Sequence, residues 1–382
     1  MAIKIALIRQ EQTGSDGGAQ TIIDLMMKTI NSHGGVDLSL LCRKWDTADE
    51  IGEKVILNPS FIGRKGKFVS FLNAINKHLS TNHFDLIQSH ERYDGCHIFR
   101  AGDGVHKVWL QHRSCKLNAL QKIWLSMSLY HRRVLREERA MFASNTLKKV
   151  ICNSQMIKKE ILANFPIESS KVVVIYNSVD LIKYHPVDAD EKKRIRSDLS
   201  IPLNTRVFIF PGSGFERKNL ASAIKAFSAL NSDCYLIVVG KDKHQKSYEN
   251  LASQQQCADR VVFFGAQTRE NMARFYQASD VLVLPTLYDP FPNVILEGFA
   301  SGLPCITSTR CGAVDVLPGS NCGALIEPYD VNALSTAMHE YMDSQKVRTE
   351  SLNARAVAER FTHEKMQDSL MRLYRGVLDL DN

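Results

Sequence analysis

LYDPFPNVILEGFASGLP, Leu287 to Pro304, joins an acid, a proline-punctuated loop, a helix start, a second acid and a helix stop. Asp289 and Glu297 are separated by seven residues. Pro290 and Pro292 exclude regular helix just after the first acid. Asn293 is a good N-cap residue. The pattern predicts a short helix from Val294 to Ser301, closed by Gly302 with Pro304 just beyond. The preceding VLVL run, Val281 to Leu284, reads as a buried parallel strand. Strand, loop and helix N-terminus together make an anion site: free N–H groups point outward and the helix dipole favours negative charge. A carboxylate one turn into that helix reaches a neutral polar group of the same ligand, such as a ribose hydroxyl. A nucleoside diphosphate offers both groups. Spacing alone is met equally well by an ordinary α/β loop with two solvated acids.

The chain has 382 residues, too many for a typical single domain. Its 44% hydrophobic and 23% charged residues are ordinary for a globular protein. Nothing is long and apolar enough to span a bilayer, and the start, MAIKIALIRQ, reads as a strand rather than a leader. Nine scattered cysteines without a C-x-x-C pair argue against disulfides or a zinc cage and fit a reducing cytoplasm. The formal net charge of +7 lies entirely in the first half. It peaks over residues 100–160, with 13 basic against 4 acidic side chains. A solvated helix face explains that excess, and so does a surface attracting a phosphorylated acceptor, an anionic membrane or nucleic acid.

Strands alternate with helices in both halves. Lys4 to Arg9 is a strand, the glycine-containing loop Gln10 to Gly18 follows, and Ala19 to Asn31 is a helix. That opening is Rossmann-like, yet G-x-G-x-x-G is absent. Gly17 and Gly18 let a ligand approach the backbone, or simply form a turn. Asn118 to Phe142 reads as one long amphipathic helix. His185 to Ile201, nine of whose seventeen residues are charged or proline, reads as a linker. In the second half, Arg206 to Phe210 is a strand, Pro211 to Gly214 a loop and Asn219 to Asn231 a helix. The expected fold class is α/β, with two doubly wound domains facing a cleft. Their spans are 1–184 and 202–362, joined by the linker 185–201. A last helix within 363–382 packs back on the first domain.

Arg217 and Lys218 sit beside a glycine-containing loop at a strand end. Such a pair neutralises a diphosphate, the Arg by forked contacts and the Lys as a point charge.

These residues carry a resemblance. The second half resembles the retaining GT-B glycosyltransferases of family 4, through PGSGFERKN (Pro211 to Asn219), VVFFG (Val261 to Gly265), ASDVLVLPTLYDPFPNVILEGFASGLPCI (Ala278 to Ile306) and Cys322-Gly323. The first half agrees in DGGAQ (Asp16 to Gln20) and YNSVD (Tyr176 to Asp180). The resemblance implies that Glu297 holds the nucleotide ribose and that N–H groups near Asn293 and Val294 hold the diphosphate. It implies that Arg217 and Lys218 stabilise the leaving diphosphate, and that Gly17 and Gly18 close over the donor phosphates. The family's first acid is a glutamate near the donor sugar hydroxyls; Asp289 is one methylene shorter. RAGDGVHKVWL (Arg100 to Leu110) is similar to a segment of the lipopolysaccharide-core glucosyltransferases, which implies a catalytic or orienting role for Asp103 and a donor-facing one for His106. As a turn residue between two glycines, Asp103 also has a purely structural explanation.

The expected function is transfer of a hexose from a nucleotide sugar, UDP-linked by resemblance, with retention of configuration. The expected acceptor is an acidic glycolipid or polysaccharide such as lipopolysaccharide core. No cofactor or metal is implied beyond the UDP-sugar donor: the one D-x-D, Asp188-Ala-Asp190, lies in the linker. The expected place is the cytoplasm, with peripheral contact to an anionic inner membrane and no nucleic acid as partner. Two other functions remain open: a nucleotide-sugar epimerase on the same fold, and a protein that binds nucleic acid or anionic membrane without catalysis.

Overall fold

The computed structural model describes residues 2–13, 18–32, 36–46, 52–115, 117–230 and 233–378. The chain forms two compact units, one of Met1–Asn177 with Glu364–Asn382 and one of Ser178–His363.

Unit 1 runs through β1 (Ile3–Ile8), β2 (Glu11–Thr13), α1 (Gly18–Ser32), β3 (Val36–Cys42), β4 (Lys44–Asp46), β5 (Glu53–Ile56) and α2 (Gly63–Leu79). It continues with β6 (Leu86–Ser89), β7 (Ile98–Arg100), α3 (His106–Ser114), α4 (Ala119–Met127), α5 (Leu129–Phe142), β8 (Lys149–Cys152), α6 (Gln155–Asn164) and β9 (Val172–Val174). Seven strands form one parallel sheet in the order β5-β3-β1-β6-β7-β8-β9, and β2 pairs separately with β4. The order reverses between β1 and β6, the position at which sheets of this kind bind ligands beyond the strand C-termini. The core is built by periodicity. Ile22, Ile23, Met26, Met27 and Ile30 of α1 are buried against Ile5, Leu7, Leu38 and Leu40 of the sheet. Full burial of each such side chain contributes about 1.5–3 kcal/mol.

The expected single helix over Asn118 to Phe142 is two. Ser128 leaves the helix with ψ 110°, and its Oγ accepts from the His131 N–H, which starts α5. Serine competes for backbone N–H groups in this way. Asn118 and Gln121 form a capping box that starts α4, a helix with no buried residue.

Unit 2 holds α7 (Ala189–Asp198), β10 (Arg206–Pro211), α8 (Phe215–Lys218), α9 (Leu220–Phe227), β11 (Cys234–Val239), α10 (Gln245–Gln254), β12 (Val261–Gly265) and α11 (Arg269–Ala278). Then come β13 (Val281–Leu284), α12 (Asn293–Ala300), β14 (Cys305–Ser308), β15 (Gly323–Ile326), α13 (Val331–Glu340) and α14 (Ser344–Ala358). Six strands form a parallel sheet in the order β12-β11-β10-β13-β14-β15, reversing between β10 and β13. The last helix, α15 (His363–Val377), belongs to unit 1, where Met366, Leu370, Tyr374 and Val377 join the same core as α1.

The charged run 185–201 is not a free linker. Asp188 caps α7 through the N–H groups of Asp190 and Glu191. Arg196 is buried and its Nη2 lies 2.8 Å from Asp280 Oδ2, while Lys192 Nζ lies 2.6 Å from Asp280 Oδ1. These cations answer a buried acid, and that ties the segment into unit 2. The chain therefore divides at Ser178 rather than after residue 184.

Candidate functional site

The reversal between β10 and β13 places two loops side by side, and they carry Arg217, Lys218, Asp289, Asn293, Val294 and Glu297. The first loop turns sharply. Gly212 has φ +107°, and a Cβ there would fall 2.5 Å from Lys218 Nζ. A side chain there would press on that amine and be strained by the positive φ, which glycine tolerates. The expected helix from Asn219 is α9, and the segment before it adds a short helix, α8, which ends at Asn219 with φ +63°. Asn219 Nδ2 donates to Pro285 O and to Pro328 O, which ties this junction to the loop after β13. Arg217 and Lys218 thus occupy the last turn of α8 rather than a helix N-terminus, where cations suit the dipole.

Lys218 is 6% exposed, and its Nζ donates to Pro211 O at 3.3 Å. Burial first, and Arg217 second, lower its pKa to about 8, while Asp289 pulls it upward. Arg217 Nη1 donates to Asp289 Oδ2 at 2.5 Å and to Tyr288 O at 3.3 Å. Asp289 is held by its backbone as well: its N–H donates to Arg310 O, and its carbonyl accepts from the Gly312 N–H.

The second loop enters α12, whose N-cap is Pro292 rather than Asn293. Asn293 is already helical, because Pro292 holds the extended φ −72°, ψ 128° that a cap position needs. The Ile295 N–H closes a turn on Pro292 O, and the N-terminal end of α12 offers an anion the positive end of its dipole. Glu297 lies one turn in, half-buried, and Oε2 accepts from Tyr276 OH at 2.8 Å. Burial raises its pKa, while the Tyr276 hydroxyl and the Lys218 charge oppose that rise. Tyr276 is the residue that sequence reading missed. On α11 it looks like one more buried aromatic, and only the tertiary fold brings its hydroxyl to a carboxylate 21 residues away.

The remaining candidates lie in unit 1. Gly18 is the first residue of α1, and Gly17 lies outside the described residues. Asp103 is exposed in the turn after β7, followed by Gly104 at φ +71°. Its charge helps to raise the pKa of Arg92, although Glu138 does so more strongly. His106 starts α3. Its backbone N–H donates to Glu138 Oε1 at 2.8 Å and that of Lys107 donates to Glu138 Oε2 at 3.2 Å, so a buried carboxylate on α5 caps α3. The same carboxylate holds Arg92 Nε at 3.1 Å. The His106 ring stacks on Trp109 with centroids 5.4 Å apart, and its Nε2 lies 3.1 Å from His131 Nδ1. Burial, then Arg92 and His131, lower its pKa to about 3, so the ring is neutral and acts as a hydrogen-bonding group. Sequence reading left Glu138 inside a charged helical run. Among the described residues, no group of three His, Cys, Asp or Glu side chains is arranged to hold a metal ion.

Comparison with known proteins agrees with the fold. Residues 191–375 match the family model Glycosyl transferases group 1, and residues 16–183 match Glycosyltransferase Family 4. A relative from Escherichia coli, UDP-Gal:alpha-D-GlcNAc-diphosphoundecaprenol alpha-1,3-galactosyltransferase, is 28% identical over 243 residues, 61% of this chain and 62% of that one. The lipopolysaccharide glucosyltransferase WaaG of Escherichia coli K12 is 28% identical over 171 residues, 44% of this chain and 45% of that one. The chain therefore spans less than two thirds of the length of either relative. The crystal structure of WaaG superposes with a TM-score of 0.84 at 19% identity, over 96% of this chain and 98% of that one.

Proposed function

From a chain with the GT-B fold of the group 1 and family 4 glycosyltransferases, we propose that it transfers a hexose from a UDP-sugar to an acidic glycolipid or oligosaccharide acceptor, with retention of configuration. The observation that carries this reading is the convergence of Arg217, Lys218 and Glu297 with the α12 N-terminus at the strand-order reversal of unit 2. Cleaving the bond from the sugar C1 to the diphosphate oxygen builds negative charge on the leaving group. In this reading Lys218 Nζ, the Arg217 guanidinium and the α12 N-terminus near Asn293 and Val294 face that developing charge, and preorganised dipoles and charges of this kind lower the barrier. Glu297, oriented by Tyr276, takes the ribose hydroxyls. Asp289 orients Arg217 and meets the donor sugar. Asp103 serves the acceptor as base or orienting group, and His106, held neutral, donates or accepts a hydrogen bond to the donor. The name of the galactosyltransferase relative supports UDP as the carrier, and WaaG supports a lipopolysaccharide-core acceptor.

The acceptor chemistry implies work at a membrane surface. Among the described residues no helix is long and apolar enough to cross a membrane, but Leu120, Ile123, Trp124, Met127 and Leu129 are exposed along α4 and the start of α5. That face supports peripheral contact with an anionic bilayer.

A thermal-shift panel of UDP, GDP, ADP and their common sugars tests the donor assignment, because a ligand of the folded state raises the melting temperature by mass action. UDP and UDP-hexoses are expected to stabilise the protein, and Lys218→Ala to remove the shift. Equal shifts in wild type and variant would refute the site.

A further inference from the structure

The strand-order reversal of unit 1 gathers polar side chains of its own. Arg9 and Gln10 follow β1, His90 and Glu91 follow β6, and Arg100 ends β7, the next strand. Arg100 is 4% exposed. Its Nη2 donates to Asn177 Oδ1 at 2.7 Å, and its Nη1 has no hydrogen-bond partner. Among the described residues no carboxylate pairs with it. Burial lowers its pKa to about 10, and only Tyr374 and Cys152 pull it back up. Arg9, by contrast, lies close to Glu91. A buried guanidinium with an idle donor and no counter-ion is costly unless an anion joins it.

His90 adds a second donor. Tyr374 OH donates to Gln88 Oε1 at 2.8 Å, which turns the Gln88 amide so that Nε2 faces His90 Nε2 at 3.3 Å. His90 Nε2 therefore accepts, and the ring proton sits on Nδ1. Burial and the charges of Arg9 and Arg100 keep the ring neutral. Nearby, Asn153 Oδ1 and Gln10 Nε2 are also buried without partners, after β8 and β1. Ligands of doubly wound sheets bind where the strand order reverses.

We propose that Arg100 and His90 form an anion subsite in unit 1 that takes a phosphate or carboxylate group of the acceptor. The proposal rests on the glycosyl-transfer reading only for which molecule carries the anion. An arginine suits either group, because its fork matches two oxygens at once. The neutral His90 ring contributes a directed N–H without adding charge.

The test is a thermal shift of the full chain with inorganic phosphate or with glucuronate, in saturating UDP so that the nucleotide site is filled. At least one of the two anions is expected to raise the melting temperature by 2 °C or more at an order-of-magnitude excess over its Kd. Arg100→Gln should abolish that shift. Asn177→Asp, which gives Arg100 an internal carboxylate, should abolish it too while leaving the protein as stable as wild type, so loss of folding in Arg100→Gln cannot imitate the result. Lys218→Ala should keep the shift. A response to phosphate alone assigns a phosphorylated acceptor, and one to glucuronate alone a uronate-bearing one. No anion response in wild type, or an equal response in Arg100→Gln and Asn177→Asp, overturns the proposal. Failure of the nucleotide reading shows up separately, as absence of stabilisation by UDP.

Discussion

Arg217 Nη1 and Asp289 Oδ2 lie 2.5 Å apart, across 72 residues of sequence. The acid side chain is 10% exposed and the cation 44%. The first acid of the Asp289–Glu297 pair is therefore engaged by the guanidinium expected to meet the donor diphosphate, and its length sets where that guanidinium stands.

Lengthening that acid should change which sugar the site prefers. In Asp289→Glu the carboxylate moves outward by one methylene and shifts both Arg217 and its own reach toward the sugar hydroxyls. The ratio of kcat/KM for UDP-glucose to that for UDP-galactose should change by about tenfold or more, in line with the 1–3 kcal/mol that one methylene decides in a binding site. Affinity for UDP alone should stay within about threefold. An unchanged ratio removes Asp289 from donor selection.

Under the proposed function, Lys218 should make nucleotide binding depend on pH. Its folded pKa of about 8 lies below the ordinary 10.5. Between those values the unfolded chain holds more protons than the folded one, so the Lys218 contribution to stability rises with pH across that window and is lowest below about 8. Lys218→Met should then stabilise the ligand-free protein near pH 7, by at most about 3 kcal/mol. A diphosphate held by Lys218 would need the charged amine, so UDP affinity should fall up to about tenfold per unit above pH 8. Calorimetric titration from pH 7 to 9.5 measures this. A wild-type profile as flat as that of Lys218→Met would remove Lys218 from the diphosphate contact.

The Tyr276–Glu297 hydrogen bond should act through the ribose. Loss of a hydrogen bond to a charged group costs about 1.5–3 kcal/mol, so Tyr276→Phe should weaken UDP roughly tenfold or more, and Glu297→Gln by a similar factor. Both losses should shrink with 2′-deoxy-UDP, which lacks a hydroxyl for Glu297 to accept from. The two substitutions should also combine to less than their sum, because each disables the same contact. Equal losses with UDP and its deoxy analogue would move Glu297 away from the ribose.

What was legible in the sequence follows the reach of each interaction. Val281 to Pro304 could be read because its signals are local: an unbroken apolar strand, two prolines and a glycine stop. Even there the cap was misplaced by one residue, since Pro292 adopts the cap conformation without a capping side chain. Tyr276 was not legible, because a buried tyrosine on an amphipathic helix looks the same whether or not its hydroxyl meets an acid. The run at 185–201 misled for a related reason. A charge count cannot tell solvated side chains from Arg196 and Lys192, which converge on Asp280 more than 80 residues later. The break at Ser128 was hidden because apolar residues continue on both sides of it, and only the backbone reveals that Ser128 caps a new helix.

That break leaves α4 as an element with no buried residue. Leu120, Ile123, Trp124 and Met127 recur at positions 0, 3, 4 and 7 of a helical stripe and are 53–75% exposed. Lys122, Arg113, Arg132 and Arg136 are exposed beside or near it. An apolar face bordered by cations lies in the headgroup boundary of an anionic membrane, where burial and charge add. Wild-type protein should therefore bind phosphatidylglycerol vesicles much more tightly than phosphatidylcholine ones, and 0.5 M salt should weaken that binding. Replacing Ile123 and Trp124 together with glutamate should reduce vesicle binding by about tenfold or more, because apolar burial is lost and repulsion is introduced. Both side chains are more than half exposed, so the melting temperature and UDP affinity should stay close to those of wild type. Sedimentation with vesicles measures the partition. Wild type that ignores both lipids, or a double variant that binds as tightly as wild type, leaves α4 without a role at the membrane.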